Sequence, residues 1–418
     1  MTSNNQTKNQ IPAEKPPRKI FGLHPNVFFL GLVSFFTDVS SEMIFTLVPL
    51  FLTNVLNVST TIVGVVGGIS DSTDAFFRLI SGSLSDKLGK RKFLTSLGYG
   101  LSTVVKPFML MAGGWGAVAG IRFGDRVGKG IRSSSRDALL ADSLGKNERG
   151  RGFGFHRAMD TAGAVLGLIA VALIIYLLEG AHVFDMQKNT YHVMVIAGII
   201  PAVIAVLILI GLVRERKQER KSSQNAGILS QTEQQKFDSR FIVFLVIMTI
   251  FTLGNSSDFF LILRAQNQQA PLFQIALMLV VFNLTYSLVS TPMGVLSDKI
   301  GRRRVLAFGW FIYFLAYLGF AISSHIWQIW LLFALYGIYY GTTQGVASAY
   351  IADLVPAERR GTAYGLFQGI TGLALLPASI VAGWIWNAVS PAATFYLGAG
   401  LALLAMLAIL FLMKDRAN

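Results

Sequence analysis

Apolar runs of about twenty residues recur along nearly the whole chain, and twenty apolar residues is the length that crosses a bilayer as a helix. Hydropathy places twelve such runs, at about 27–56, 60–81, 93–112, 115–140, 152–178, 193–212, 241–262, 272–293, 305–323, 327–352, 362–386 and 391–413. The pattern excludes an ordinary soluble enzyme. Only 14% of the 418 residues are charged, against roughly a quarter in a soluble domain, and the mean hydropathy is +0.55. Cysteine is absent, so disulfides, Cys-ligated metals and thiol chemistry are excluded.

The net charge of +14 first suggests a nucleic-acid partner, but the positions of the charges argue otherwise. With residue 1 in the cytoplasm, the cytoplasmic tails and loops carry about 26 of the 36 Lys and Arg, and the outer loops about two, Lys188 and Arg264. The expectation is a multi-pass protein of the inner membrane with both termini cytoplasmic and no nucleic-acid partner. The Pro/Lys-rich leader reads as a tail rather than a signal peptide, because the first apolar run is too long for a signal core. The layout expected is a tail over 1–26, a six-helix bundle over 27–212, a basic linker over 213–240, a second bundle over 241–413 and a tail over 414–418.

The chain also repeats itself. Residues 82–92 (Gly82, Asp86, Gly89, then Lys90, Arg91 and Lys92) recur as 294–304 (Gly294, Asp298, Gly301, then Arg302, Arg303 and Arg304), an offset of 212. Ala141-Asp142 and Glu148-Arg149 are echoed by Ala352-Asp353 and Glu358-Arg359, and Ser40-Ser41-Glu42 by Ser256-Ser257-Asp258. Self-similarity over half a chain is duplication, the plan of transporters that rock two bundles about a midplane site.

Both copies of the 82–92 segment resemble the G-x-L-x-D-[RK]-x-G-[RK]-[RK] signature of the major facilitator superfamily, in the second-to-third and eighth-to-ninth loops where that family carries it. The resemblance covers the whole chain. It implies an all-α membrane protein with 12 transmembrane helices in two pseudo-symmetric six-helix bundles, acting as a transporter rather than an enzyme, with no cofactor beyond a proton gradient as energy source. It also implies gating roles for Asp86 and Asp298. The partners expected are a small-molecule substrate and the lipid bilayer, for a chain working as a monomer.

Charge within the apolar runs is concentrated in the first half. Arg78, Lys106, Arg122, Arg126, Lys129, Arg132, Arg136 and Arg157 lie there, and their counterparts in the fourth run's repeat are uncharged: Phe333, Gly337, Tyr340, Thr343 and Ala347. A charge at the bilayer centre costs about 2.5–3.5 kcal/mol on insertion scales, so it is expected to be paired or to face water. At a helical period the charges of the fourth run share an arc of about 140°, leaving Gly124, Gly128 and other small or apolar residues for packing. Arg126 and Gly130 also match the family's R-x-x-Q-G motif, with Lys129 in place of Gln. The added cations point to an anionic solute, held by Arg122, Arg126 and Lys129.

Asp38, Glu42, Asp71 and Asp74 are the candidates for proton coupling, because burial disfavours a carboxylate's charge and a nearby Arg favours it. The alternative is a permanent salt bridge from Asp38 or Asp71 to Arg126. Arg78, Arg136 and Asp137, with His156, Arg157 and Asp160, read as an ionic lock nearer the cytoplasm. Asn283, Tyr336 and Tyr340, with Asn255, Ser256, Tyr286, Thr343 and Gln344, would contact the organic body of the substrate.

The function expected is secondary transport of a small organic anion (a carboxylate, phosphate ester or polycarboxylate chelator), coupled to protons. The alternative is a multidrug–proton antiporter, but the fifth-run motif of that branch is degraded: Gly163 and Gly167 match, while Leu168, Val171 and Ala172 do not. A membrane-embedded transferase using His156 and Asp160 as acid and base is remote, since nothing supplies a nucleophile.

Overall fold

The computed structural model describes residues 19–88, 90–144, 148–215, 237–356 and 359–413. Among these residues there is no β-strand, only an isolated bridge between Ile20 and Leu23. The helices are α1 Pro25–Phe45, α2 Thr60–Leu88, α3 Arg91–Val105, α4 Trp115–Asp142, α5 Arg149–Glu179, α6 Lys188–Leu212, α7 Ser239–Gly254, α8 Phe259–Asn267, α9 Leu272–Ile300, α10 Arg302–Ile322, α11 Ile326–Leu354, α12 Arg360–Ala388 and α13 Pro391–Leu412. α1 runs on through a short turn and a π-helical segment to Val55, and α3 through a 3₁₀ segment to Met111.

Among the described residues, eight spans are long and apolar enough to cross a membrane. Those that fall short are α2, α3 and α4, which carry the charges, and α11, diluted by Tyr, Gly, Thr and Gln. Twelve crossings would require all four of these as well. The apolar side chains point outward where a soluble protein would hide them. In α6, with a mean hydropathy of 3.2, only 33% of the most apolar stretch is buried inside the protein. Leu177, Leu207, Leu288 and Phe411 are among the exposed residues, a surface suited to lipid.

The helix pairings repeat with the sequence. In the first half α1 packs on α5 and α6, and α4 on α2 and α3. In the second half the broken span α7–α8 packs on α12 and α13 through α7, and α11 on α9 and α10. The halves meet along α2 with α12 and α5 with α9, two pairings that the repeat interchanges. Small residues permit these approaches. Gly64, Gly67 and Gly68 of α2 face Ser379, Ser257 and Leu376, and Gly98 of α3 faces Gly128 of α4.

One span departs from the apolar pattern. The run expected over 241–262 breaks at Asn255–Asp258 and resumes as α8 to Asn267. Arg264, expected in an outer loop, is therefore a buried residue of α8. It donates from Nε to Phe320 O at 2.8 Å and from Nη2 to Ala321 O at 3.2 Å and Ser323 O at 3.1 Å, capping the carbonyls left free where α10 ends. The second half thus does hold an intramembrane cation, spent on a helix terminus.

Candidate functional site

A cavity of about 650 Å³ lies between the halves, and an alcove of about 220 Å³ adjoins it. At the end away from the basic loops the halves are joined by hydrogen bonds. Gln266 Nε2 donates to Asn54 Oδ1 at 2.9 Å and to Phe184 O at 2.8 Å, and Thr60 Oγ1 donates to Asn387 Oδ1 at 2.7 Å. The cavity reaches past Arg78, Arg157, Ser348 and Gln368 toward the other end, where α2 stops at Leu88 and α5 starts at Arg149.

The cationic wall comes from the first half: Arg78, Arg122, Arg126, Lys129 and Arg157. Arg122 is buried and well held. Its Nε donates to Ser70 Oγ at 3.2 Å, its guanidinium lies 4.7 Å from the Phe45 ring centroid, and Asp125 is 3.9 Å away. One turn on, Arg126 differs. Among the described residues it has no hydrogen-bond or ion-pair partner, and its Nε is buried without one. The permanent bridge from Asp38 or Asp71 is therefore not present. Lys129 likewise lines both spaces with no ion-pair partner among the described residues.

The acids divide by surroundings. Glu42 lines both the cavity and the alcove and accepts from the Thr46 hydroxyl one turn on. Asp71 and Asp74 line the cavity, and Asp74 pairs with Arg78 at 2.8 Å. Asp38 faces the alcove. Lys106 is fully buried, its Nζ donating to Ser40 Oγ at 2.7 Å and Ser41 Oγ at 3.2 Å.

All the polar second-half residues singled out from sequence line the cavity: Asn255, Ser256, Asn283, Tyr286, Tyr336, Tyr340, Thr343 and Gln344. They belong to a larger aromatic wall that includes Phe282, Trp310 and Tyr339. Tyr336 stacks on Phe282 at 5.5 Å, and Tyr339 lies edge-on to Tyr340 at 5.8 Å. Asp258, given no site role from sequence, also lines the cavity and accepts from the Tyr336 hydroxyl at 2.6 Å. Its signal was the echo of Glu42 in the repeat.

Of the residues expected to gate, Arg78 lines the cavity, while Arg136, Asp137 and Asp298 are not among its lining residues. Arg136 pairs with Asp137 at 2.9 Å and donates to Ser34 Oγ at 3.1 Å, while Ser34 also bonds His156 Nε2 at 3.0 Å. Asp298 lies 3.4 Å from Arg302, which also pairs with Asp353 at 2.9 Å. These pairs each lie within one half. The Asp86 side chain lies outside the described residues.

Paired helix bundles around a polar central cavity, with lipid-facing apolar surfaces, define a polytopic membrane transporter. The chain belongs to the Major Facilitator Superfamily, whose profile matches residues 30–266 and 241–418. It is 38% identical over 398 residues to an uncharacterized MFS-type transporter of Methanocaldococcus jannaschii, covering 93% of this chain and 95% of that one. Its fold is similar to the crystal structure of the nucleoside transporter NupG (TM-score 0.74, 14% identity, 93% of this chain and 99% of that one). It is also similar to that of a POT family transporter in complex with a thioalcohol-conjugated peptide (TM-score 0.74, 11% identity, 94% and 96%). At these identities the structural likeness speaks for the fold alone.

Proposed function

We infer that this transporter moves a small organic anion by alternating access, coupled to protons, across the inner membrane with both termini cytoplasmic. The observation that carries the reading is Arg126: a buried guanidinium edge at a shared cavity, with no hydrogen-bond or ion-pair partner among the described residues, beside Lys129, which has no ion-pair partner among them either. An unpaired cation in a membrane interior is costly, and an anionic solute satisfies it. Arg122 supports the same wall, and Asn283, Tyr336 and Tyr340 face it from the second half.

In this reading the sealed end is the outer one, so the structure is inward-facing, and residues 27–212 and 241–413 rock as two bundles. The Arg78, Arg136, Asp137 and Asp298 pairs, with Asp86, then reorganise to close the inner side. Glu42, Asp38, Asp71 and Asp74 are the carriers of protons.

The test is binding to purified protein in detergent. A thermal-shift screen of carboxylates, phosphate esters, amines and neutral sugars should select anions, and Arg126→Gln should weaken the selected anion about ten- to hundredfold, the range for a charged hydrogen bond. Unchanged affinity in a folded variant rejects the assignment. Selection of lipophilic cations instead would favour a multidrug antiporter.

A further inference from the structure

We propose that the solute is a zwitterion, its anionic group on Arg126 and Lys129 and an ammonium group on Asp258; this deepens the anion reading above and rests on it. The starting point is where Asp258 sits and what it does not do. It is the residue from which α8 starts, where an Asp ordinarily turns its carboxylate back onto the helix's free N–H groups. Here the side chain makes no such capping bond. It points into the cavity instead, with one oxygen held by the Tyr336 hydroxyl at 2.6 Å and the residue as a whole exposed to the open space. A carboxylate that forgoes its local use and is held from another helix is positioned for something in the cavity.

What surrounds it selects the partner. Among the described residues Asp258 is the one acid on the second-half wall, and the cations of the lining belong to the first half. The α4 face is thus positive, with a carboxylate across from it at the α7–α8 break, while Glu42, Asp71 and Asp74 lie on the same side as the cations. Beside Asp258 stand Tyr336, Tyr339 and Tyr340; the first two are buried against other rings, and the part-exposed Tyr340 ring is the one open to an organic cation. The same wall already holds one: the Arg157 guanidinium lies 5.2 Å over the Tyr286 ring. A carboxylate held by a tyrosine hydroxyl and facing the cavity recognises an ammonium group, whereas a dianion or polyanion would meet repulsion there. The volume of about 650 Å³ accommodates an amino acid or a short peptide with water.

The competing use of Asp258 is protonation during coupling, which would treat acids and zwitterions alike. The experiment therefore compares matched probes on full-length protein in detergent: amino acids and dipeptides, their deaminated acids and their decarboxylated amines, for example phenylalanine, 3-phenylpropionate and phenethylamine. In the wild type at least one zwitterion should bind about tenfold or more tightly than both of its truncated partners. Asp258→Asn should lower affinity for that zwitterion at least about tenfold more than for the matched acid, and Asp258→Glu should restore part of the difference.

If acids bind as tightly as zwitterions, or Asp258→Asn weakens both equally, the zwitterion inference falls and the anion reading stands. If neither acids nor zwitterions respond to Arg126→Gln, both fall. If no zwitterion in the set stabilises the protein while other anions do, this inference alone is overturned.

Discussion

Gln266 of the second half donates a 2.9 Å hydrogen bond to Asn54 of the first, and the same Nε2 reaches the Phe184 carbonyl at 2.8 Å. Asn54 Oδ1 also accepts from Met186 N at 3.2 Å, so one amide oxygen ties α8 to the loop between α5 and α6. These bonds hold one end of the cavity shut, and they must break for that end to open. Gln266→Ala should therefore shift the balance toward the opposite conformation by about 1–2 kcal/mol, roughly five- to thirtyfold, from the loss of two to three modest hydrogen bonds. The chain has no cysteine, so Ile262→Cys, buried in α8, would be the single thiol. Its labelling by a membrane-impermeant maleimide from the sealed side should rise in the Gln266→Ala background. Equal rates would mean that the seal is apolar packing alone.

Gly128 predicts a packing cost. A Cβ there would lie 2.6 Å from the Gly98 carbonyl oxygen, backbone against backbone, so α3 and α4 would have to separate. Gly128→Ala should destabilise by about 1–3 kcal/mol, as overpacking does, and should displace its neighbour Lys129. Gly120→Ala on the same helix, where a Cβ would meet nothing, is the control and should leave the unfolding temperature within a degree or two. Equal responses of the two variants would show that helix propensity, not the close approach, governs this site.

These two contacts also show what could be read from the chain. Helix positions followed from apolar run length, and the structure ends most helices within a few residues of the expected points. Of the charged arc of α4, Arg122, Arg126 and Lys129 line the cavity, as an intramembrane charge has few other places to go, while Arg136 and Asp137 do not. The break at Asn255–Asp258 was not legible. It is stabilised by partners far along the chain: Tyr313 donates to Gly254 O at 2.9 Å, and Ser257 N donates to Ser379 Oγ at 3.0 Å. A window of neighbouring residues carries no trace of those bonds. Without the break, Arg264 is placed in an outer loop and the position of Asp258 on the cavity is not visible.

Arg264 offers a stability test independent of transport. Its guanidinium reaches three carbonyls around the end of α10 and the Asn267 side chain at 2.7 Å, a fork that a single ammonium cannot reproduce. Arg264→Lys should cost about 1–3 kcal/mol and Arg264→Ala somewhat more, since buried carbonyls would lose their donors. Thermal unfolding should show this ordering, with affinity at the cavity changed less than about threefold. A stable Arg264→Ala would mean that water replaces the guanidinium.

Glu42 gives the sharpest test of coupling. It lines both the cavity and the alcove, on the same wall as Arg126 and Lys129, and among the described residues its carboxylate accepts a hydrogen bond from Thr46 alone, the residue that follows α1. If the substrate is an anion, as proposed, a carboxylate placed there feels it directly: cations occupied by the anion no longer favour the carboxylate's charged form, and anion binding promotes proton uptake. Glu42→Gln fixes the neutral form and breaks this link while keeping the side chain's shape. In proteoliposomes the variant should still exchange substrate across the membrane at a rate within about threefold of wild type. It should fail, however, to accumulate substrate when a pH gradient is imposed. Thr46→Val, which removes the hydrogen bond but keeps the acid, should retain accumulation with a shifted pH dependence. Gradient-driven accumulation by Glu42→Gln at the wild-type level would move the coupling role to Asp38, Asp71 or Asp74. Of these Asp74 is the weakest candidate, because its 2.8 Å pair with Arg78 already stabilises its charge.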